Sequence, residues 1–427
     1  MSKAGTMARS LLGAFSTFTL VGVLSSGARF LVLPLITVYI APAEYGLIAL
    51  FTTCAASLVP LVGLNVGGVV GVEYFRQDRK SPEFAGLLSS TLCLPLMLAA
   101  ALALLTVPFA DFLLGEIGLP PEAALPIVGV ALLTVYANQT NNYLVTERNV
   151  RAYGLVGIGC VVVEVACIVA FVAWFRWNWV GRVGAAVAVL ALTTAFGLLY
   201  FAQRGLLTLK LRRSQFRMGI AYGAPLVLHE LGKVVINQSD RVFLARLVDL
   251  EAAGLYSIGY QGGAIIVLLS ASFSAVYNPS LFSALQRGEE DEIARVLRMA
   301  LGFVALELLV VIVLSAAAPW LFSLLDPRYA AGATYVFWIA LSYWFWMVYM
   351  TVSAPFFYYK KTQYLAWMAL LTVSCNLVGN YVLILHFGAL GAAYSTALSF
   401  LLVALLAIVI ANRVAPLPWR RALSRDL

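Results

Sequence analysis

The side chains equipped for chemistry are concentrated in one stretch of this sequence. His229, Glu230, Lys233, Asn237, Asp240 and Arg241 follow one another over thirteen residues. At about 100° per residue along a helix, all six fall within about 120° of one another. The set combines two cations, two carboxylates, an imidazole and an amide, which suits anion binding, ion pairing or proton exchange. Arg29 is a further cation inside an apolar run, with Ser25 and Ser26 one turn before it and Pro34 one turn after. A proline removes a backbone donor and kinks a helix, so Arg29 reads as part of a gated binding site or as a structural counter-ion to Glu164 or Glu307. Those two are lone carboxylates in otherwise apolar segments, suited to proton coupling or to salt bridges with Lys233 or Arg241. The amides Asn138, Gln139 and Asn142 cluster on one helical face and offer donors and acceptors for sugar hydroxyls, although hydrogen bonding between helices is their commoner use.

Other chemistries find no support. Walker, GxSxG and HExxH motifs are absent, and no His/Cys/Asp/Glu spacing suggests a metal site, so neither an enzyme nor a cofactor is expected. All five cysteines (Cys54, Cys93, Cys160, Cys167 and Cys375) sit in apolar stretches and read as small core residues. Glu289 to Glu292 form a solvated acidic run leading to Arg295 and Arg298, expected to be an exposed helix with i,i+4 pairs. Trp338, Ser342, Trp346, Tyr349 and Ser353 share a helical face that suits stacking on sugar rings or, more commonly, packing.

The elements that carry these residues must be membrane helices. Only 11% of the 427 residues are charged, against roughly 25% in soluble domains, and the mean hydropathy is +0.92. A bilayer-crossing helix needs about 20 apolar residues, and hydropathy divides the chain into twelve spans. They run near 16–40, 45–72, 84–107, 123–145, 155–175 and 183–203, then near 220–246, 255–280, 300–322, 334–357, 365–385 and 390–411. The expected fold class is an all-α polytopic membrane protein of two pseudo-symmetric six-helix bundles around a central cavity. Its parts are an N-terminal lobe (1–203), a basic cytoplasmic connector (204–219), a C-terminal lobe (220–411) and a basic cytoplasmic tail (412–427).

Charge sets the orientation. With both termini in the cytoplasm, 21 of the 28 Lys and Arg residues fall on that side and only Arg176, Arg182 and Arg328 on the other, as the positive-inside rule requires. The net charge of +8 is therefore a topological signal, and nucleic acid is not an expected partner. Four cations are left inside or at the ends of spans: Arg29, Lys233, Arg241 and Arg246. An internal repeat is visible as well. Pro42-Ala43-Glu44-Tyr45-Gly46-Leu47 follows span 1 and Leu250-Glu251-Ala252-Ala253-Gly254-Leu255-Tyr256 follows span 7, a spacing of about half the chain that fits transporters built from two six-helix halves.

The motifs also carry a likeness. Arg29-Phe30 with Pro34, Thr37 and Tyr39, followed by Pro42-Ala43-Glu44-Tyr45-Gly46, resembles the first span of the polysaccharide transport family, the Wzx-type flippases of lipid-linked oligosaccharides. The similarity continues at Gly223-x-Pro225-Leu226, Asp240-Arg241, Glu251-x-x-Gly254-x-Tyr256-x-x-x-Tyr260 and Tyr277-x-Pro279. It ends with Lys360-Lys361-Thr362, Asn376 with Asn380, and Phe387-Gly388-Ala389-x-Gly391-Ala392-Ala393. This resemblance implies membership of the multidrug/oligosaccharidyl-lipid/polysaccharide exporter superfamily. It implies translocation of an undecaprenyl-diphosphate-linked oligosaccharide across a bacterial inner membrane, with a glycan polymerase and export machinery as partners. The family's buried cation in span 1 maps to Arg29, and its Asp-Arg pair in span 7 maps to Asp240 and Arg241.

The expected mechanism is alternating access. Arg29, Lys233 and Arg241 would hold the diphosphate, since Arg forks match phosphate geometry. His229, Asn237, Asn138 and Asn142 would line a polar cavity for the sugars, while the prenyl tail stays among the membrane lipids. Glu164, Glu230, Asp240 and Glu307 would act as counter-ions or bind a coupling proton or sodium ion. The alternatives are a cation-coupled multidrug antiporter of the same superfamily, in which the carboxylates rather than the cations are essential, and a membrane-embedded glycan polymerase. The short outer loops argue against the polymerase.

Overall fold

The computed structural model describes residues 32–79, 81–414 and 416–423, and among these every regular element is helical. Residues 32–39 form α1, the end of the expected first span. The rest of that span, with Arg29, lies outside the described residues. There follow α2 (Pro42–Gly63), α3 (Val66–Arg76), α4 (Pro82–Thr106), α5 (Ala110–Gly115), α6 (Ala124–Thr146), α7 (Val150–Ile168), α8 (Asn178–Gln203) and α9 (Arg213–Leu247). The chain continues with α10 (Leu250–Gly263), α11 (Ile266–Arg287), α12 (Glu290–Ser323), α13 (Ala333–Tyr358), α14 (Thr362–Phe387), α15 (Ala389–Val414) and α16 (Trp419–Leu423). Eleven helices or helix pairs among the described residues are long and apolar enough to cross a bilayer, and they match the expected spans 2 to 12 one for one. The chain is a multi-pass membrane protein.

Local chemistry sets the helix starts. Pro42 occupies the first turn of α2, where a missing N–H costs nothing, and the Glu44 carboxylate accepts the Ala41 N–H at 3.0 Å. Ser81 caps α4 by accepting from the Phe84 N–H at 3.1 Å, and Asp249 caps α10 by accepting from the Ala252 N–H at 2.7 Å. Three carboxylates occupy the first turn of α12, where the helix dipole favours negative charge. Their ion pairs run to Arg287 and Arg421, so the acidic run is tied to the preceding helix and to the C-terminal segment. Beyond α7 the helix widens into a π-turn at Val169–Trp174. There Trp174 and Trp177 are exposed, as belt residues at a membrane interface are.

The chain divides into two compact units, residues 1–235 and 236–427, with the boundary inside α9. Each is built around one central helix. In the first, α6 packs on α2, α4 and α8, and α7 packs on α8. In the second, α13 packs on α10, α12 and α15, and α14 packs on α15. Taken as spans, the same pairings recur in the same order, so the repeat seen in the sequence is one of packing as well. Spans 2 and 8 even break at equivalent places. α2 ends at Gly63 before Leu64 and Asn65, which adopt left-handed backbone (φ 41° and 46°), and α10 ends at Gly263 before the turn into α11. A Cβ on Gly63 would lie 2.9 Å from Val135, and one on Gly263 would lie 2.7 Å from Ile339. Glycine at both positions lets the broken span press against the central helix.

The aromatic face of α13 belongs to this packing. Trp338 meets Tyr394 edge-on at 4.6 Å and Trp346 meets Phe400 at 5.1 Å, while Ser342 and Ser353 are buried and donate to carbonyls of their own helix. The face forms the contact with α15.

Candidate functional site

The polar stripe of α9 splits into two groups with different surroundings. In the second unit, Asp240 and Arg241 are buried (1% and 6% exposed). Adjacent residues on a helix diverge by about 100°, yet Arg241 Nη1 reaches back to Asp240 Oδ1 at 2.6 Å and to the Asn237 carbonyl at 2.5 Å. Asp240 Oδ1 also accepts the Arg241 backbone N–H at 3.1 Å, and Oδ2 accepts the Tyr256 hydroxyl. The guanidinium lies 3.9 Å over the Tyr260 ring, a cation–π contact. Tyr260 is hydrogen-bonded to Tyr343, and both hydroxyls lie 3.5 Å from Asn237 Oδ1. The pair is thus boxed by three tyrosines from α10 and α13. Tyr256 and Tyr260 are one turn apart, so their shared face was legible in the motif that contains them. Tyr343 carried no such signal.

The box changes what Arg241 can do. Its guanidinium is neutralised by Asp240 and enclosed by rings, so in this structure it presents no open face to a diphosphate. Asn237, expected to line a cavity, instead supplies a carbonyl and an amide oxygen to the box.

In the first unit the remainder of the stripe stays open. His229 and Lys233 are exposed, and Lys233 Nζ pairs with Glu230 Oε2 at 2.7 Å, one turn apart on α9. Asn138 and Asn142 are exposed one turn apart on α6. Between them Gln139 turns inward and donates to Thr91 Oγ1 at 2.8 Å, so only two of the three clustered amides are available to a solute.

The two lone carboxylates have unlike environments. Glu164 accepts from Arg182 Nη2 at 3.0 Å. Arg182, in the second turn of α8, is thus a partner of Glu164 that the expectation of Lys233 or Arg241 did not include. The sequence reading placed Arg182 on the outer side, because a cation so near a span end cannot be told from a loop residue by hydropathy. Glu164 and Arg182 line a small pocket with Val32, Ile36, Val161, Val165 and Ile168. Glu307 is 1% exposed on α12 and accepts from Ser270 Oγ at 2.5 Å, with no cation in an ion pair with it among the described residues. Asn376 and Asn380, fully buried on α14, bond to each other at 3.2 Å and to Ser239 at 3.4 Å. No group of three or more His, Cys, Asp or Glu side chains among the described residues is placed to hold a metal ion.

The fold is that seen in transporters of the MOP superfamily. The chain matches an inward-facing multidrug resistance MATE family transporter of that superfamily with a TM-score of 0.71, at 13% identity over 92% of this chain and 94% of the other. It matches the lipid II flippase MurJ in its inward closed conformation with a TM-score of 0.71, at 14% identity over 95% and 89%. The Vibrio cholerae MATE transporter VcmN in its bent form gives 0.57 at 15% identity over 96% and 97%. No curated protein sequence matches the chain. The family model described as polysaccharide biosynthesis protein matches residues 11–286, and the chain belongs to that family.

Proposed function

We propose that this protein is a flippase for an undecaprenyl-diphosphate-linked oligosaccharide, the repeat unit of an O-antigen, capsule or exopolysaccharide. It moves this lipid from the cytoplasmic to the periplasmic leaflet of a bacterial inner membrane by alternating access. The observation that carries the reading is the match to the polysaccharide biosynthesis family over most of the chain, and the transporter fold supports it. A glycan polymerase and the export machinery act on the product.

The exposed polar groups suit such a cargo. Lys233 takes the diphosphate, with Glu230 as the counter-ion that yields it when the head group arrives, and Arg29, outside the described residues, is the proposed second cation. Arg241 acts at one remove, holding α9 in register through the tyrosine box. Asn138 and Asn142 offer paired amides to sugar hydroxyls, and His229 adds a donor on the stripe. A charge held inside the membrane is costly unless it faces protein or water, and an exposed lysine in a span, paired with Glu230, suits an anionic head group.

Deleting the gene tests the reading. Lipid-linked repeat units are expected to accumulate on the cytoplasmic face, and the surface glycan to disappear. A deletion strain with an intact surface glycan would overturn it. Complementation with Arg29→Ala is expected to leave protein in the membrane and no surface glycan, while unchanged export would remove Arg29 from the site.

A further inference from the structure

We propose that Glu307 is a proton-binding site, loaded and unloaded with Ser270 as its partner, and that this proton is the ion that drives transport. The second half rests on the flippase reading above. Ser270 Oγ lies 2.5 Å from Glu307 Oε1 and 3.2 Å from the Ile266 carbonyl. A serine hydroxyl has a single proton, so it cannot serve both acceptors. With Glu307 ionised, the Ser270 proton is drawn to the carboxylate and the Ile266 carbonyl loses it. With Glu307 protonated on Oε1, the acid donates to Ser270 Oγ and Ser270 donates to Ile266, and each contact holds one proton. The neutral acid gives each of these two contacts a proton of its own, and the carboxylate leaves one of them without. The other oxygen, Oε2, is buried and has no hydrogen-bond partner among the described residues, a placement that an ionised carboxylate tolerates poorly.

Among the described residues the surroundings supply no compensating charge. Among the helices packed on α12, α13 carries no Asp, Glu, Lys, Arg or His. Its tyrosine at this level, Tyr343, is bonded to Tyr260. On α11 the Tyr277 hydroxyl donates to the Thr351 carbonyl, and Arg287 stands at the far end, paired with Glu292. Arg328, in the turn Pro327–Gly332, pairs with Asp326, and Arg421 of α16 pairs with Glu290 and Asp291. The cations of α12 itself, Arg295 and Arg298, lie more than two turns before Glu307. A hard metal cation would need about six oxygen ligands, and here one carboxylate and one hydroxyl stand in an apolar setting. The species the geometry fits is a proton, taken from hydronium to give the acid and water, and returned by the reverse step.

The position also gives the proton something to move. Ser270 opens the second turn of α11, beyond the break that ends α10. Ile266 and Val311 belong to the same core cluster as Tyr256, Tyr260 and Tyr343, the rings that enclose Arg241. Loading Glu307 therefore changes the tie between α12 and the broken span 8, whose first half carries two walls of the tyrosine box.

The test compares purified full-length protein carrying Glu307, Glu307→Gln or Glu307→Asp by infrared difference spectroscopy across a pH titration, with the aqueous proton as the probe. A carboxylic-acid carbonyl band that is lost on alkalinisation is expected in the unmodified protein and in Glu307→Asp, absent in Glu307→Gln, and moved in frequency but present in Ser270→Ala. Identical spectra for the unmodified protein and Glu307→Gln would overturn the site. In the deletion strain, Glu307→Gln at normal membrane abundance is expected to lower surface glycan roughly 5–150-fold, the range of a typical coupling free energy, with Glu307→Asp restoring export. Full export by Glu307→Gln would overturn the coupling role. A deletion that leaves the glycan intact sinks the flippase reading alone, and the infrared comparison still decides the proton site.

Discussion

At the residue scale, the Asp240–Arg241 pair shows how a charge can be kept inside a membrane bundle. The carboxylate neutralises the guanidinium, the Asn237 carbonyl takes a second N–H, and the ring of Tyr260 covers its face. Removing one partner of such a pair leaves the other charge buried alone, which costs about 3–5 kcal/mol. Arg241→Ala should therefore lower the thermal stability of the detergent-solubilised protein by that order. Asp240→Asn with Arg241→Met, which removes both charges, should recover much of the loss. A melting curve unchanged in Arg241→Ala would show that the box contributes nothing to folding. Sequence showed both residues and their place on the polar stripe. It could not show that they bond to each other, because a helical wheel sets neighbours about 100° apart and the long Arg side chain bends back to close that gap.

Helices and their breaks carry the next level of organisation. Spans 2 and 8 are each interrupted after a glycine that touches the central helix of its own unit. At the first break, a Cβ built on Gly223 of α9 would fall 1.7 Å from the Leu64 carbonyl oxygen, so only glycine allows α9 to lie against the freed backbone there. Gly223→Ala is expected to cost roughly 1–3 kcal/mol through forced backbone shifts. Gly129→Ala, where no atom lies within 4 Å, should stay within about 0.5 kcal/mol of the parent. Equal melting temperatures for the two variants would refute the close approach. The Gly-x-Pro motif at 223–225 was legible as a pattern, but which backbone it had to clear was not.

For the whole molecule, the distribution of Lys and Arg predicts an orientation that can be measured. In a protein freed of its five cysteines, single cysteines at Glu116 and Asp326 should react with a membrane-impermeant maleimide in intact spheroplasts. Cysteines at Arg148 and Lys360 should react only after permeabilisation. The reverse pattern would invert the topology. The eleven spans seen among the described residues follow the hydropathy divisions closely, since a bilayer demands long apolar runs whatever the tertiary contacts are. The candidate site was less legible. Glu164 was expected to find Arg29, Lys233 or Arg241, and among the described residues it meets Arg182; Glu307 there meets a serine, a partner type too common in the sequence to single out.

Composition, hydropathy period and charge placement pointed by themselves to a multi-pass helical membrane protein with a few side chains that need burying. Those properties answer to the solvent, and the solvent reads each segment independently. Tertiary structure alone decided which buried charges neutralise one another, which amides stay open, and which carboxylate is left with a hydroxyl. Ion pairing and desolvation depend on distances of a few ångströms between helices that are far apart in sequence, and no local pattern encodes those distances.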